Sequence, residues 1–503
     1  MVVELDRSRD LPLYLQISQQ LRDQIRSGEL AAGSRLPPER RMAAMLGVNR
    51  TTIVNAYREL AAEGLVSGHV GRGTVVAGQD DAASNAGSAR GIPWGQLFTE
   101  ATEVMNDPLL RDTMIVSARS DVISLATGIP SPDLYPIDAI RDILVEALDD
   151  VGQTLLQHTP TEGLPLLREA LGRWMGSDVR PVDPDQVLVA AGSQQGLYLL
   201  ARTLLEPGDI VAIESPTYLG AIQVFRAAGA RLLPIPVDQD GMRIGMLEDV
   251  VVRRRPKLIY TLPTFQNPTG ATLSLDRRHR LLAIAARYQI PVIEDDPYGA
   301  LRYEGQALPT LHALDEHDTV IYLSTMSKIL FPGFRIGWIA APRAVIERLT
   351  LMKQIVDLDT NPLAQWAVWA FLSRGLLDAH LEQLRQVYPL RRDLMLEMLE
   401  RHCSGSLSCL RPAGGFYLWC KVDDGLRARD LLPEAARRGV AFAPGSSFHP
   451  TGEGESTLRL NFTLPGEDEI EEAIVRLAGA IDGLAAARNH HERPGRVRAT
   501  PIV

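Results

Sequence analysis

The sequence predicts a multidomain chain: a small N-terminal module of three helices and a β-hairpin, then a large α/β body on a mostly parallel central sheet. Three observations predict it. Apolar residues recur at helical spacing from Leu13 onwards. A polar stretch of small residues, AGQDDAASNAGSARG at 77–91, then breaks the chain. From about residue 95 to 485, short β-branched runs alternate with longer helical patterns. The predicted ranges are 1–76 for the module, 77–94 for a flexible linker, 95–485 for the body and 486–503 for a loose tail.

At 503 residues, 45% apolar and 23% charged, the composition is that of a globular protein with a sizeable core, which excludes disorder. No run approaches the ~20 apolar residues that span a bilayer. The opening segment MVVELDRSRD lacks the apolar core of a signal peptide, so a cytoplasmic location and no membrane partner are expected. Cys403, Cys409 and Cys420 are odd in number and lack metal-ligand spacing. They are expected as reduced thiols, with neither a disulfide framework nor a metal site.

The net charge of −10 is unevenly placed. Residues 1–76 hold ten Arg, no Lys and eight acidic residues, so this stretch carries +2 and the remainder −12. An arginine-biased module on an acidic body fits nucleic-acid contact confined to one end, although a solvated helix face also carries arginines.

Leu13, Ile17, Leu21 and Ile25 mark the first helix, which Gly28 closes. A second helix is predicted from Pro38 to about Met45, because proline suits a first helical turn. Leu46-Gly47-Val48 forms a tight turn, and Asn49 can cap a third helix from Arg50 to about Glu63, ended by Gly64. Two short helices joined by a glycine turn form a helix-turn-helix, whose second helix enters the major groove. Arg50, Thr51, Thr52 and Asn55 lie on its first turns, within reach of bases and phosphates. LVS (65–67), GHVGRG (68–73) and TVV (74–76) then make a hairpin wing with Arg72 at its tip. On pattern alone, a three-helix protein-interaction module is the other reading.

The body's buried strands are predicted at VLVAA (187–191), IVAIE (210–214), LIYTL (258–262), PVIED (291–295) and TVIYLS (319–324). Lys328 follows the last of these, within STMSKILFPGFRIGW, beside Thr325, Ser327 and Arg335. Two hydroxyls and a guanidinium suit a phosphate ester. A lysine used for covalent chemistry with a carbonyl must sit where its charged form is disfavoured. In AAGSQQGLYLL a strand runs through Gly192 into a helix, so Ser193, Gln194 and the backbone N–H groups can cradle a phosphate. Asp295 and Tyr298, in PVIEDDPYG, fall at the carboxyl end of a strand, where open α/β sheets bind ligands. A buried carboxylate there can hold a ring nitrogen protonated. Asn267 in TFQNPTG adds a donor, and Tyr218 in ESPTYLG can stack on a planar ring.

The segments LPLYLQISQQLRDQI, SGELAAGSRLPPERRMAAMLGVNRTTIVNAYRELAAEGLV and GRGTVV resemble the winged helix-turn-helix of the GntR regulator family. By position, the resemblance makes Arg40 and Arg50 DNA-contacting arginines and Arg72-Gly73 the wing tip. The body resembles the fold-type I aminotransferases, the aromatic and 2-aminoadipate enzymes above all. That likeness runs through ATGIPSPDLYP, LQHTPTEGLPLLREAL, LPTFQNPTG, IEDDPYGALRY, PAGGFYLW and STLRLNFT. It implies pyridoxal 5′-phosphate (PLP) as cofactor. Lys328 would bond covalently to its aldehyde, Asp295 pair with the pyridine nitrogen, and Asn267 and Tyr298 hold the ring hydroxyl. Tyr218 would cover the ring, while Ser193, Gln194, Thr325, Ser327 and Arg335 bind the phosphate. Arg459 matches the arginine that grips a substrate α-carboxylate, and Gly128 the glycine beside it. His158 stands where the family has a tyrosine that reaches the cofactor phosphate of the neighbouring subunit; a histidine can still donate a hydrogen bond there.

Joined, the two halves resemble the MocR/GabR subfamily of bacterial regulators. The resemblance implies a homodimer presenting two DNA-binding modules to an operator, upstream of its own or a neighbouring gene. It also implies a body that senses PLP, or a small amine or amino acid reacting with it. The other expectation is a working aminotransferase with an appended DNA-binding module, because Lys328, Asp295 and Arg459 are all present.

Overall fold

Ile17 and Leu21 lie one turn apart on helix α1 (Leu13–Arg26) and are fully buried, which gives the N-terminal unit its apolar seam. The computed structural model describes residues 3–7, 11–69, 73–77, 97–99, 102, 108–176, 182–422 and 425–491. The chain divides into two compact units, Met1–Glu100 and Ala101–Val503.

Helix α2 (Glu39–Leu46) starts after Pro38, not at it. Pro38 keeps an extended backbone, φ −52° and ψ 141°, and takes the cap position. The helix ends on Gly47 at φ 62°, a left-handed conformation that glycine adopts without a Cβ clash. Asn49 then caps α3 (Arg50–Ala62), its side chain accepting from Thr52 N at 2.8 Å. Ile53, Ala56 and Leu60 close the core against Ile17, Leu21, Leu36 and Met42; each buried Leu or Ile contributes about 1.5–3 kcal/mol. Tyr57 ties α3 to the start of α2 by donating to Pro37 O at 2.9 Å. Strands β1 (Val66–His69) and β2 (Gly73–Val76) pair antiparallel as the predicted hairpin. Arg72 lies outside the described residues, as does the predicted linker beyond Ala77. Asn49→Ala is expected to cost about 1 kcal/mol, read as faster amide exchange in α3; unchanged exchange would mean that other groups carry the cap.

In the body, β3 (Ile123–Ser124) precedes a sheet of eight strands among the described residues. These are β4 (Val187–Ala190), β5 (Ile210–Ser215), β6 (Arg231–Asp238), β7 (Gly241–Met242), β8 (Leu258–Thr261), β9 (Val292–Asp295), β10 (Val320–Thr325) and β11 (Gly337–Ala340). Their spatial order is β4-β11-β10-β9-β8-β5-β6-β7. Strands β10, β9, β8, β5 and β6 run parallel, whereas β11 is antiparallel to both its neighbours and β7 is antiparallel to β6. Because β11 reverses, the segment that enters it arrives at the edge where β4, β8, β9 and β10 end. Strand alternation sends Val211, Ile213 and Tyr260 to one face, against Leu197, Leu200, Ile222 and Phe225. Ala212, Ile259 and Val292 face the other side, against Leu247, Val251, Leu281 and Ala285. All five predicted runs fall in this sheet, covered on both faces.

A second, antiparallel sheet of four strands follows, in the order β12-β13-β16-β15. Its chain order is β12 (Leu407–Cys409), β13 (Tyr417–Val422), then β14 (Val440–Ala441), which pairs parallel with β3 instead, then β15 (Ala443–Pro444) and β16 (Thr457–Asn461). Here the expectation of reduced thiols is corrected. Cys409 and Cys420 form a disulfide, because the β12–β13 register sets them directly opposite, with Cα atoms 4.3 Å apart. Cys403 is free and buried, and burial pushes its thiol up to about 11. The predicted tail is corrected in part: the last helix, Glu467–His491, runs through the RNHH segment, since each added residue extends an existing hydrogen-bond ladder. Residues 492–503 lie outside the described residues. No helix among the described residues is long and apolar enough to cross a membrane.

Candidate functional site

The carboxyl ends of the parallel strands and the turn into β11 surround a cavity of about 270 Å³. Gly128, Ser193, Gln194, Tyr218, Asn267, Asp295, Tyr298, Thr325, Ser327, Lys328, Arg335 and Arg459 line it, so the structure brings together every one of these predicted residues. Strand β4 leads through Gly192, at φ 85°, into helix α4 (Ser193–Leu204), whose first N–H groups point out of the turn. The turn is packed too closely for side chains. A Cβ on Gly192 would come within 2.7 Å of Arg335 Nη2, and one on Gly337 within 2.6 Å of the Gly192 backbone. Arg335 stands just before β11 at φ 55° and ψ 46°, a left-handed conformation rare outside glycine. Its Nη2 donates to Ala191 O at 3.3 Å and its Nη1 to Ser327 Oγ at 3.5 Å. Thr325 donates to Ser327 Oγ at 3.0 Å. These contacts hold two hydroxyls and a guanidinium beside a helix N-terminus.

Lys328 donates from Nζ to Gly128 O at 2.6 Å. Burial pushes its ammonium below the ordinary lysine range, and the Arg459 and Arg335 guanidiniums push the same way. Asp295 ends β9 and is buried, which raises its carboxyl to about 7 even though the Tyr260 hydroxyl donates to Oδ2 at 2.6 Å. Its Oδ1 is buried without a hydrogen-bond partner. Tyr218 precedes helix α5 (Leu219–Ala227) and donates to Gln194 Oε1 at 3.0 Å. The Tyr298 and Tyr417 hydroxyls lie 3.0 Å apart. Arg459, on β16, donates to Asn267 Oδ1 at 2.8 Å and to Ala126 O at 2.6 Å. Its guanidinium lies over the Tyr417 ring at 4.0 Å and near Phe448 at 4.7 Å, while its Nε has no partner. A Cβ on Gly128 would overlap the Tyr417 hydroxyl.

His158 is the predicted site residue that does not reach this cavity. Its side chain is 83% exposed, with Nδ1 3.1 Å from Asp359 Oδ1. Sequence reasoning missed Tyr260 and left Tyr417 without a role. Both sit inside strand runs, where an aromatic residue reads as core; the FYLW run that holds Tyr417 carried no further signal.

In the N-terminal unit, Arg40 and Thr51 are exposed and Thr52 and Asn55 half-buried along α2 and α3. Arg50 is paired through Nε with Glu39 Oε2 at 3.1 Å. Thr52 directs its hydroxyl to the Asn49 cap at 2.8 Å, so it serves the helix as well as facing outwards. Gly73 opens β2.

Residues 13–76 match the family described as bacterial regulatory proteins, gntR family, and residues 120–477 match aminotransferase class I and II. A "Probable rhizopine catabolism regulatory protein MocR" from Rhizobium meliloti is 33% identical over 452 residues, covering 88% of this chain and 89% of that protein. The chain belongs to the class I and II aminotransferases, as a MocR-type fusion with a GntR domain. Other relatives of this MocR-type chain match its body. An aromatic-amino-acid aminotransferase from Thermococcus litoralis is 39% identical over 397 residues, 78% of this chain and 95% of that one. The structure of Pyrococcus horikoshii kynurenine aminotransferase, solved with PMP, superposes with a TM-score of 0.75 at 40% identity, covering 78% of this chain and 98% of that one. The body of the MocR-type chain is therefore a fold-type I aminotransferase, a family whose members depend on PLP, and its GntR domain is a DNA-binding module.

Proposed function

We propose that this MocR-type chain is a transcriptional regulator. It binds an operator through the N-terminal module and reads PLP, or a small amine or amino acid reacting with PLP, through the body. The observation that carries the reading is the convergence of Lys328, Asp295, Arg335 and Arg459 on one cavity, in a chain whose other unit is a GntR domain.

The residues fit the cofactor. Arg335, Ser327, Thr325, Ser193, Gln194 and the start of α4 offer donors for a phosphate dianion. The unpartnered Oδ1 of Asp295 is matched by the N–H of a protonated pyridine ring. Asn267 and Tyr298 take the ring hydroxyl, Tyr218 covers the ring, and Lys328 is the nucleophile toward the aldehyde. When bound, PLP supplies an electron sink for the carbon beside an amino group. Arg459, its guanidinium packed against the Tyr417 and Phe448 rings, is the carboxylate clamp, and Gly128 leaves room for the Tyr417 hydroxyl and the Lys328 amine. His158, exposed beside Asp359, is available to the site of a second copy in a homodimer. On the DNA side, Arg40, Arg50, Thr51 and Thr52 reach the major groove, and the wing of Arg72 and Gly73 reaches the backbone. An effector that favours one arrangement of the homodimer shifts its population, and the operator must then shift effector affinity by the same factor.

The test is binding of the purified chain, in the cytoplasmic pH range, to DNA upstream of its own gene, with and without PLP. Selective binding that changes about five- to 150-fold with PLP supports a PLP sensor. Selective binding indifferent to PLP moves the signal to an amine or amino acid. No selective binding in either state overturns the regulator reading.

One observation favours a second reading, a working aminotransferase: a buried Arg459 poised in the cavity is more than a sensor of PLP alone requires. Sustained turnover of an amino acid with 2-oxoglutarate supports that reading, and a half-reaction that stalls supports the sensor.

A further inference from the structure

Strands β8 and β9 are adjacent and parallel, and their register sets Tyr260 beside Ile293. Tyr260 is fully buried and absent from the cavity lining, yet its hydroxyl reaches Asp295 Oδ2 at 2.6 Å. Its ring is held edge-on by Phe225, centroids 5.5 Å apart and planes at 72°. The next residue, Asp296, points the other way and has a tyrosine of its own: Tyr322 donates to Oδ2 at 3.2 Å, and Gly299 N to Oδ1 at 2.9 Å. Asp296 is therefore satisfied on both oxygens and Asp295 on one, and the free oxygen belongs to the residue that lines the cavity.

We propose that Tyr260 is a positioning residue. It fixes one oxygen of Asp295 so that the other is presented, oriented and without a competing partner, to the ring nitrogen of the cofactor. Without the hydroxyl the carboxyl can rotate, and both its oxygens are left in a buried site with no donor, which disfavours the charged form. A tyrosine suits the task because it remains a donor here: burial and the carboxylate of Asp295 both hold its own proton in place. The proposal rests on PLP occupying this cavity with its ring nitrogen at Asp295.

The test uses the full chain and two readouts of bound PLP: its affinity by fluorescence titration, and the ratio of its visible to near-ultraviolet absorbance at fixed pH. Tyr260→Phe keeps the ring and removes only the donor. It is expected to weaken PLP about tenfold and to change the absorbance ratio. In an Asp295→Asn background the same substitution is expected to change neither readout, since the effect travels through Asp295. The proposal is overturned by a Tyr260→Phe chain that matches the parent in both readouts, or by an equal effect in the Asp295→Asn background. An Asp295→Asn chain with the parent's affinity and spectrum would instead overturn the placement of the cofactor, and the proposal with it.

Discussion

Replacing Lys328 with alanine is expected to abolish the visible absorbance that PLP acquires on reacting with a protein amine. No other lysine lines the cavity among the described residues, so no second amine can take its place. Affinity for PLP should fall about a hundredfold or more, because the covalent contribution is lost and only the phosphate and ring contacts remain. Lys328→Arg should lose the band as well, since a guanidinium is not deprotonated in a protein. The sign of the pH dependence follows from the burial of Lys328 in the parent chain. The neutral amine is the nucleophile, and burial lowers the pH at which the ammonium gives up its proton. Formation of the band should therefore quicken as pH rises, with a midpoint below that of an exposed lysine. A Lys328→Ala chain that keeps the band would remove Lys328 from the site.

Arg50→Ala is expected to weaken operator binding and to lower its dependence on salt by about one unit, the signature of a lost phosphate contact. Arg50→Lys should keep most of the salt dependence while losing the forked geometry. In the free chain Arg50 is held by Glu39 at 3.1 Å, so DNA must compete with that carboxylate. Glu39→Gln should therefore act in the opposite direction, tightening binding by freeing the guanidinium and removing a negative charge near the phosphates. Binding measured across a salt series distinguishes these outcomes. An unchanged slope in Arg50→Ala would place the reading surface elsewhere on the module.

The convergence of the proposed cofactor residues on one cavity was legible in the sequence for a common reason. Asp295 ends a strand run and Lys328, Asn267 and Tyr218 each follow one, and the carboxyl end of a parallel strand is exposed to whatever binds the sheet edge. The pairing of Tyr260 with Asp295 was hidden, because it depends on which strands are neighbours and in what register. The Cys409–Cys420 bond was hidden for the same reason: eleven residues of separation say nothing until β12 and β13 are aligned. His158 could be matched to a family position but not placed, since the partner it meets within the chain, Asp359, lies 201 residues away. The helix-turn-helix was almost entirely legible, because Asn49, Gly47 and Gly64 act within a few residues of themselves.

Arg459 reaches back 333 residues to the carbonyl of Ala126, and its neighbour Asn461 to that of Thr127. Those contacts impose an order on synthesis. The helix-turn-helix leaves the ribosome first and needs only local contacts, whereas the cavity stays open until β16 has been made and threaded beside the segment around Gly128. A chain released early can therefore hold a finished DNA-binding module beside an incomplete cavity. Under the proposed regulator reading, such fragments would contact DNA without answering to an effector, so the clearance of incomplete chains becomes part of the fidelity of the response.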